Sequence, residues 1–204
     1  MEVLRWVADM PGADPADLVA ESASAMRALT RDPAALVLVA RRLVEHHPTC
    51  GPLWTMCARA MTSGDPVASL ADSARAASRD DAGSRADGLL EEREGARPAV
   101  LVARACAAAD GRDGGWMAMV EPKGRRLAAR ARTEGRDVWL VVPVGACVPR
   151  PMWDEMLRRA PDTEVLAGDA TDLVVRSAGA RPSASWRAEP ECPPCPGLLA
   201  GGAR

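Results

Sequence analysis

Residues 115–144 read "GWMAMVEPKGRRLAARARTEGRDVWLVVPV". Two apolar runs, 115–120 and 137–144, flank a segment with helical period that closes at Gly135, a good helix C-cap. Buried parallel strands appear as continuous apolar runs, whereas half-solvated strands alternate. The spacing therefore predicts strand, helix, strand: a βαβ unit with parallel strands. A further run, "AVLVA" at 99–103, predicts a strand lying parallel beside 137–143. "TEVLAG" and "TDLVVRS" add short strand candidates after it.

Upstream the texture is helical. Asp14-Pro15, Asp32-Pro33 and Asp65-Pro66 each offer a capping carboxylate followed by a proline suited to the first helical position. Leu36, Val39, Ala40, Leu43 and Val44 form an apolar stripe, and Leu53, Trp54, Cys57, Ala60 and Met61 form another. Pro48 disfavours helix at His47, so one helix should end there and the next begin near Pro52. Trp54 should anchor that hairpin in the core. Four segments follow: a helical module at 1–80, a polar linker or loosely packed helix at 81–98, a sheet domain at 99–180, and a Pro-rich tail at 181–204 expected to lie extended on the surface. The fold class is α/β, an N-terminal helical module followed by a shortened parallel sheet.

The 204 residues are 48% hydrophobic, enough to bury a core. The formal net charge of -2 excludes a general affinity for nucleic acid, which needs a basic face. No segment approaches the roughly 18 consecutive apolar residues of a membrane helix. The N-terminus carries acids and lacks the apolar run of a signal peptide. A cytoplasmic protein with its six Cys reduced is expected, with neither membrane nor cofactor.

His46, His47, Cys50 and Cys57 have ligand-like spacing. Adjacent helical residues, however, point about 100° apart, and imidazole suits a helix C-terminus on its own account. The plain reading is a helical hairpin, not a metal site. Cys192 and Cys195 form C-P-P-C without a second CxxC, and read as surface tail. Lys123, Arg125, Arg126, Arg130, Arg132 and Arg136 crowd one helix; at its start, beside Gly124, they could hold a phosphate, but a solvated helix face is the plainer reading, since no P-loop pattern accompanies them. Asp110-Gly111 and Asp113-Gly114 are turn dipeptides first. Cys147 follows the strongest strand, at the end of an α/β sheet where ligands bind. These residues supply the catalytic candidates Asp110, Asp113 and Cys147, and none has a supporting motif.

Several stretches carry a resemblance. "DPAALVLVARRLVEHHPTCGPLWTMCARAM", the run from "VLVARACAAADG" to "VWLVVPVG", "PRPMWDEML" and "CPPCPGLL" resemble bacterial proteins related to translation initiation factor 2B alpha/beta/delta-type subunits and to methylthioribose-1-phosphate isomerase. Together they cover most of residues 31–199. The resemblance implies a Rossmann-like second domain, a sugar phosphate or nucleotide held at the strand edges, and a homodimer. The family's catalytic Asp, in its GAD pattern, falls on Ala105. The Gly of its "nKiGT" pattern falls on Gly124, with Pro122 in place of the Lys. The segment that carries the isomerases' catalytic Cys has no counterpart.

The first expectation is therefore a non-catalytic regulatory or ligand-binding protein. It would hold a phosphorylated ligand near Gly111, Lys123, Gly124, Arg125 and Gly145. A sugar-phosphate (aldose–ketose) isomerase with a relocated acid–base set is the alternative enzyme. A structural partner-binding module, covering the sheet edge that shortening exposes, is the third reading.

Overall fold

The computed structural model describes residues 14–92, 99–102, 106–109, 115–120 and 123–199. Helices gather at the N-terminal end: α1 (Pro15–Arg27), α2 (Pro33–His46), α3 (Gly51–Thr62), α4 (Pro66–Ser78) and α5 (Ala82–Glu91). The Asp-Pro signals act as the chemistry requires. Asp14, Asp32 and Asp65 accept hydrogen bonds from Ala16, from Ala34 and Ala35, and from Ala68 respectively. Each carboxylate satisfies orphan N–H groups of the first turn.

Helix α3 is the centre of the helical core. Leu53, Trp54, Thr55, Met56, Cys57, Ala58 and Ala60 are all buried. A helix buried nearly all round must have neighbours on every side. It packs on α1, α2 and α4, and its first turn abuts β2. Glycine permits that approach: a Cβ on Gly51 would lie 2.7 Å from Cys106 Sγ and 3.1 Å from Ala146 Cα. Trp54 is fully buried, donates its indole N–H to Pro48 O at 3.1 Å, and has the Arg159 guanidinium 5.1 Å above its ring.

The sheets are β1 (Ala99–Val102), β2 (Cys106–Ala109), β3 (Trp116–Val120), β4 (Asp137–Val141), β5 (Glu164–Ala167), β6 (Leu173–Arg176) and β7 (Gly179–Pro182). One sheet has the order β1-β4-β6-β7, the other β2-β3-β5. β1 pairs parallel with β4 in the register Ala99↔Asp137 to Val102↔Leu140, and β4 pairs parallel with β6. The chain leaving β4 continues beside β2, with Ala107 bonded to Ala146 O and Val148 N. Helix α6 (Gly124–Thr133) covers one face of the parallel strands, where Ala128 and Ala131 join a cluster with Val138, Leu140 and Val174. Helix α5 covers the other, with Ala82 and Ala86 in a cluster with Trp139, Val141 and Val175. Parallel strands with both faces covered explain the unbroken apolar run.

Two expectations need correction. The strands flanking α6 do not pair with each other: β3 is antiparallel to β2 and to β5. A short connection joins antiparallel neighbours cheaply, so the local β2–β3 pairing wins. The second correction concerns the tail, which is not a surface ribbon. Trp186, Ala188, Cys192, Cys195 and Leu198 are buried. Its last turn, α8 (Pro196–Leu199), packs on α2 and on α7 (Arg150–Arg159). The segment expected as linker or loose helix contains α5. Asp110, Gly111 and Asp113, together with Ala105 and Pro122, lie outside the described residues.

Candidate ligand crevice at the ends of the parallel strands

Ligands of open α/β sheets bind outside the carboxyl ends of the strands. Here β4 and β6 end at Val141 and Arg176. The chain beyond β4 turns at Gly145, whose φ of +81° is left-handed and favours glycine. A Cβ there would lie 3.2 Å from Pro52 Cα. Its carbonyl accepts from Thr55 Oγ1 at 2.7 Å, fastening the loop to α3.

Carboxylates meet the backbone amides of this region. Val144 N donates to Asp80 Oδ2 at 2.8 Å, and Asp80 Oδ1 accepts from Ser177 Oγ and from Ala82 N. Cys147 N donates to Glu191 Oε2 at 3.0 Å, and Arg176 Nη2 donates to Glu191 Oε1 at 2.7 Å. Arg59 grips the Glu191 carbonyl with Nε at 2.9 Å and Nη2 at 2.6 Å.

Arg176 also lines a cleft of about 250 Å³, shared with Gly179, Arg181, Trp186, Arg187 and Glu189. Arg181, Arg187 and Glu189 are exposed, while Trp186 is buried and meets Trp116 edge-on at 4.7 Å between centroids. Arg176, Arg181 and Arg187 all line the cleft, with Arg176 bonded to Glu191 and Arg187 Nη1 to the Ala184 and Trp186 carbonyls; arginine suits an anion because its planar fork matches phosphate or carboxylate bidentately. A second, more open cleft of about 550 Å³ is lined by Trp116, Arg132, Asp169, Asp172, Ser183 and Arg187.

The residues singled out in the sequence occupy different places. Lys123 is exposed and precedes α6 with a φ of +89°. Gly124 is buried, and the Arg125 amide donates to Glu164 Oε2 at 2.9 Å, so a side-chain carboxylate holds that helix start. Gly145 is packed between the loop and α3. Cys147 is buried, and burial pushes its thiol up to about 12, with nearby Arg176 acting in the opposite direction. At neutral pH it is a thiol, not the thiolate a nucleophile requires.

None of the six cysteines is in a disulfide, and Cys50 alone is not buried. Cys192 Sγ lies 3.6 Å from Thr55 Oγ1 and 3.9 Å from Met152 Sδ. His46 ends α2, and the His47 amide donates to Leu43 O at 3.0 Å, which makes the pair a helix terminus. Among the described residues no group of three or more His, Cys, Asp and Glu could hold a metal ion. Sequence reasoning missed Arg59, Asp80, Arg176, Arg181, Arg187 and Glu191. The one local signal was the position of Arg176 at the carboxyl end of "TDLVVR".

Fold and crevice together define a mixed α/β protein whose helical N-terminal part supports a small, partly parallel sheet carrying an arginine-lined cleft at its edge. No family model matches the chain, and no curated protein matches it. Among the described residues no helix is long and apolar enough to cross a membrane.

Proposed function

We propose that this chain is a non-catalytic ligand-binding or regulatory protein of the initiation factor 2B-like group, taking a small phosphorylated sugar or nucleotide in the arginine cleft. The observation that carries this reading is the convergence of Arg176, Arg181 and Arg187 on one cleft at the end of β6. Arginine provides two parallel donors and a fixed charge, which is what phosphate recognition uses. The volume of about 250 Å³ suits a sugar phosphate better than a larger ligand. The neutral, buried thiol of Cys147 and the hydrogen-bonded carboxylates of Asp80 and Glu191 favour binding over turnover. The same proposal makes the protein cytoplasmic, where six thiols outside any disulfide stay reduced, and homodimeric, as in the proteins it resembles.

The test is thermal unfolding with ribose phosphates and nucleotides at millimolar concentration. A ligand at 100 times its dissociation constant stabilises by about 2.7 kcal/mol. For a chain this long that raises Tm by roughly 5–10 °C. Arg181→Ala should remove the shift, since Arg181 is exposed and its loss leaves the core intact. No shift with any phosphorylated ligand overturns the proposal.

A further inference from the structure

Glu191 belongs to an irregular segment between Trp186 and α8, yet its main chain is fastened at both ends of the residue. Its N–H donates to Cys147 O at 2.9 Å, and its carbonyl takes the Arg59 fork. The carboxylate is therefore a headgroup on a fixed stalk, and its position does not depend on its own hydrogen bonds alone. That headgroup lies between one backbone amide, Cys147 N, and one guanidinium, Arg176. An amide and a guanidinium aimed at two oxygens of one anion are the donor set that receives a phosphoryl group. The position is also right for a ligand, beside the carboxyl end of a parallel strand. The side chains of Arg176 and Glu191 are 23% and 19% exposed, so the pair is reachable from solvent without opening the core. Arg176 is at the same time a wall of the arginine cleft, so the guanidinium of the seat borders that cleft.

We propose that Cys147 N–H and Arg176 form a phosphoryl seat, and that Glu191 is a tethered occupant which an incoming phosphorylated ligand displaces. The choice of ligand class rests on the function proposed above; the existence of the seat does not. While Glu191 holds the seat, the apparent affinity for phosphate falls by the fraction of molecules in which the seat is open. Removing the carboxylate removes that competition. The chain then binds phosphate at least about tenfold tighter, provided the native pair is closed in nine molecules of ten or more.

The experiment is calorimetric titration with inorganic phosphate, at ionic strength held constant with chloride. The proteins are the full chain, Glu191→Ala, Glu191→Gln, Glu191→Ala combined with Arg176→Ala, and Arg181→Ala. Circular dichroism checks that each is folded. The expected result is a gain of tenfold or more in both single Glu191 variants, and loss of that gain when Arg176 is also removed. Glu191→Gln keeps the shape of the side chain and carries the test if the alanine variant does not fold. Folded Glu191 variants that bind phosphate no better than the parent would make the pair a structural link only and overturn the seat. A gain that persists without Arg176 would overturn it too. The two proposals fail separately. Sugar phosphate bound by the parent chain through Arg181, with no gain in Glu191→Gln, sinks the seat and leaves the function. Phosphate gained by Glu191→Gln, with no phosphorylated ligand stabilising the parent, does the reverse.

Discussion

Leu198 and Leu127 invert what their neighbourhoods suggest, and substituting each tests the packing of the tail. Leu198 follows "CPPCPG", a setting that reads as exposed and dispensable, yet its side chain is fully buried. Leu127 sits mid-helix in α6 and reads as core, yet it is 50% exposed. Leu→Ala in a core costs about 2–5 kcal/mol, from lost transfer energy plus the cavity left behind. Leu198 should fall near the middle of that range, ~3 kcal/mol, because part of the site can relax and part cannot. The main chain on either side stays pinned, with Arg41 Nε on Gly197 O at 2.6 Å and Arg159 Nη2 on Leu198 O at 3.1 Å. Those bonds survive the substitution and hold the turn in place, so the cavity persists. Leu127→Ala should stay within about 0.5 kcal/mol of the parent, as exposed substitutions do. The assay is urea unfolding followed by tryptophan fluorescence. With a slope of about 2.5 kcal/mol/M, Leu198→Ala lowers the midpoint by about 1.2 M and Leu127→Ala by no more than about 0.2 M. A Leu198 variant as stable as the parent would mean that the tail does not pack on α2 and α7, and the crevice geometry around Glu191 would go with it.

A Cβ at Gly168 would lie 2.6–2.9 Å from the Trp116 ring, which Trp186 holds edge-on, so Gly168→Ala should destabilise by about 1–3 kcal/mol in the same urea assay. Iodoacetamide at pH 8 should label Cys50 alone in the native chain and all six cysteines in urea, read by mass spectrometry, because the other five are buried. Burial raises the Cys147 thiol from its ordinary value near 9 to about 12, and raises Cys57, Cys106 and Cys192 as well. Their joint contribution to stability is therefore complete below pH 9 and is lost as pH rises above it, visible as a falling Tm. Hydrogen bonds from Arg158 and Arg159 hold the Glu155 carboxyl below the usual range. Its contribution is present above about pH 4.5 and lost as pH falls through the lowered value, so the stability gap between parent and Glu155→Gln should be about 1 kcal/mol at pH 7 and close in acid.

What could be read from the sequence is what local chemistry writes there. Asp14, Asp32 and Asp65 announce helix starts because a cap acts on amides two or three residues away. The run at 138–141 announces a doubly covered strand because Val138 and Leu140 pack under one helix and Trp139 and Val141 under the other. Its parallel partner at 99–102 was legible as another short apolar run. The pairing of β3 was not, because its partner is "CAAA", four residues with little intrinsic strand preference that are held in a ladder by their surroundings. Helix α5 hides in a polar stretch where Ala82 and Ala86 supply the buried contacts. The tail misleads because burial in an irregular segment keeps to no strand or helix period: Trp186, Ala188, Cys192 and Cys195 follow one another at spacings of two, four and three. The crevice is hardest of all. Arg59 and Glu191 lie 132 residues apart, and in a chain whose positive charge is nearly all arginine, no composition signal separates Arg176 from the rest.

The backbone amides at the edge of the sheet point to a common solution. Val144 N and Cys147 N follow β4, where α/β proteins present donors to a ligand, and Arg125 N opens α6; each faces a carboxylate of the same chain: Asp80, Glu191 and Glu164. An amide left unsatisfied in a partly buried site costs about 1–3 kcal/mol, so donors at such an edge need an acceptor whether or not a ligand is bound. The three acids are not equivalent in what they leave available. Asp80 spends its second oxygen on Ser177 and Ala82, and Glu164 meets a single amide at an exposed helix start. Glu191 alone shares its anion position with a guanidinium that also faces an open cleft. Exchange of one acceptor for another is therefore cheapest at Cys147 and Arg176, the pair of donors whose guanidinium also borders an open cleft.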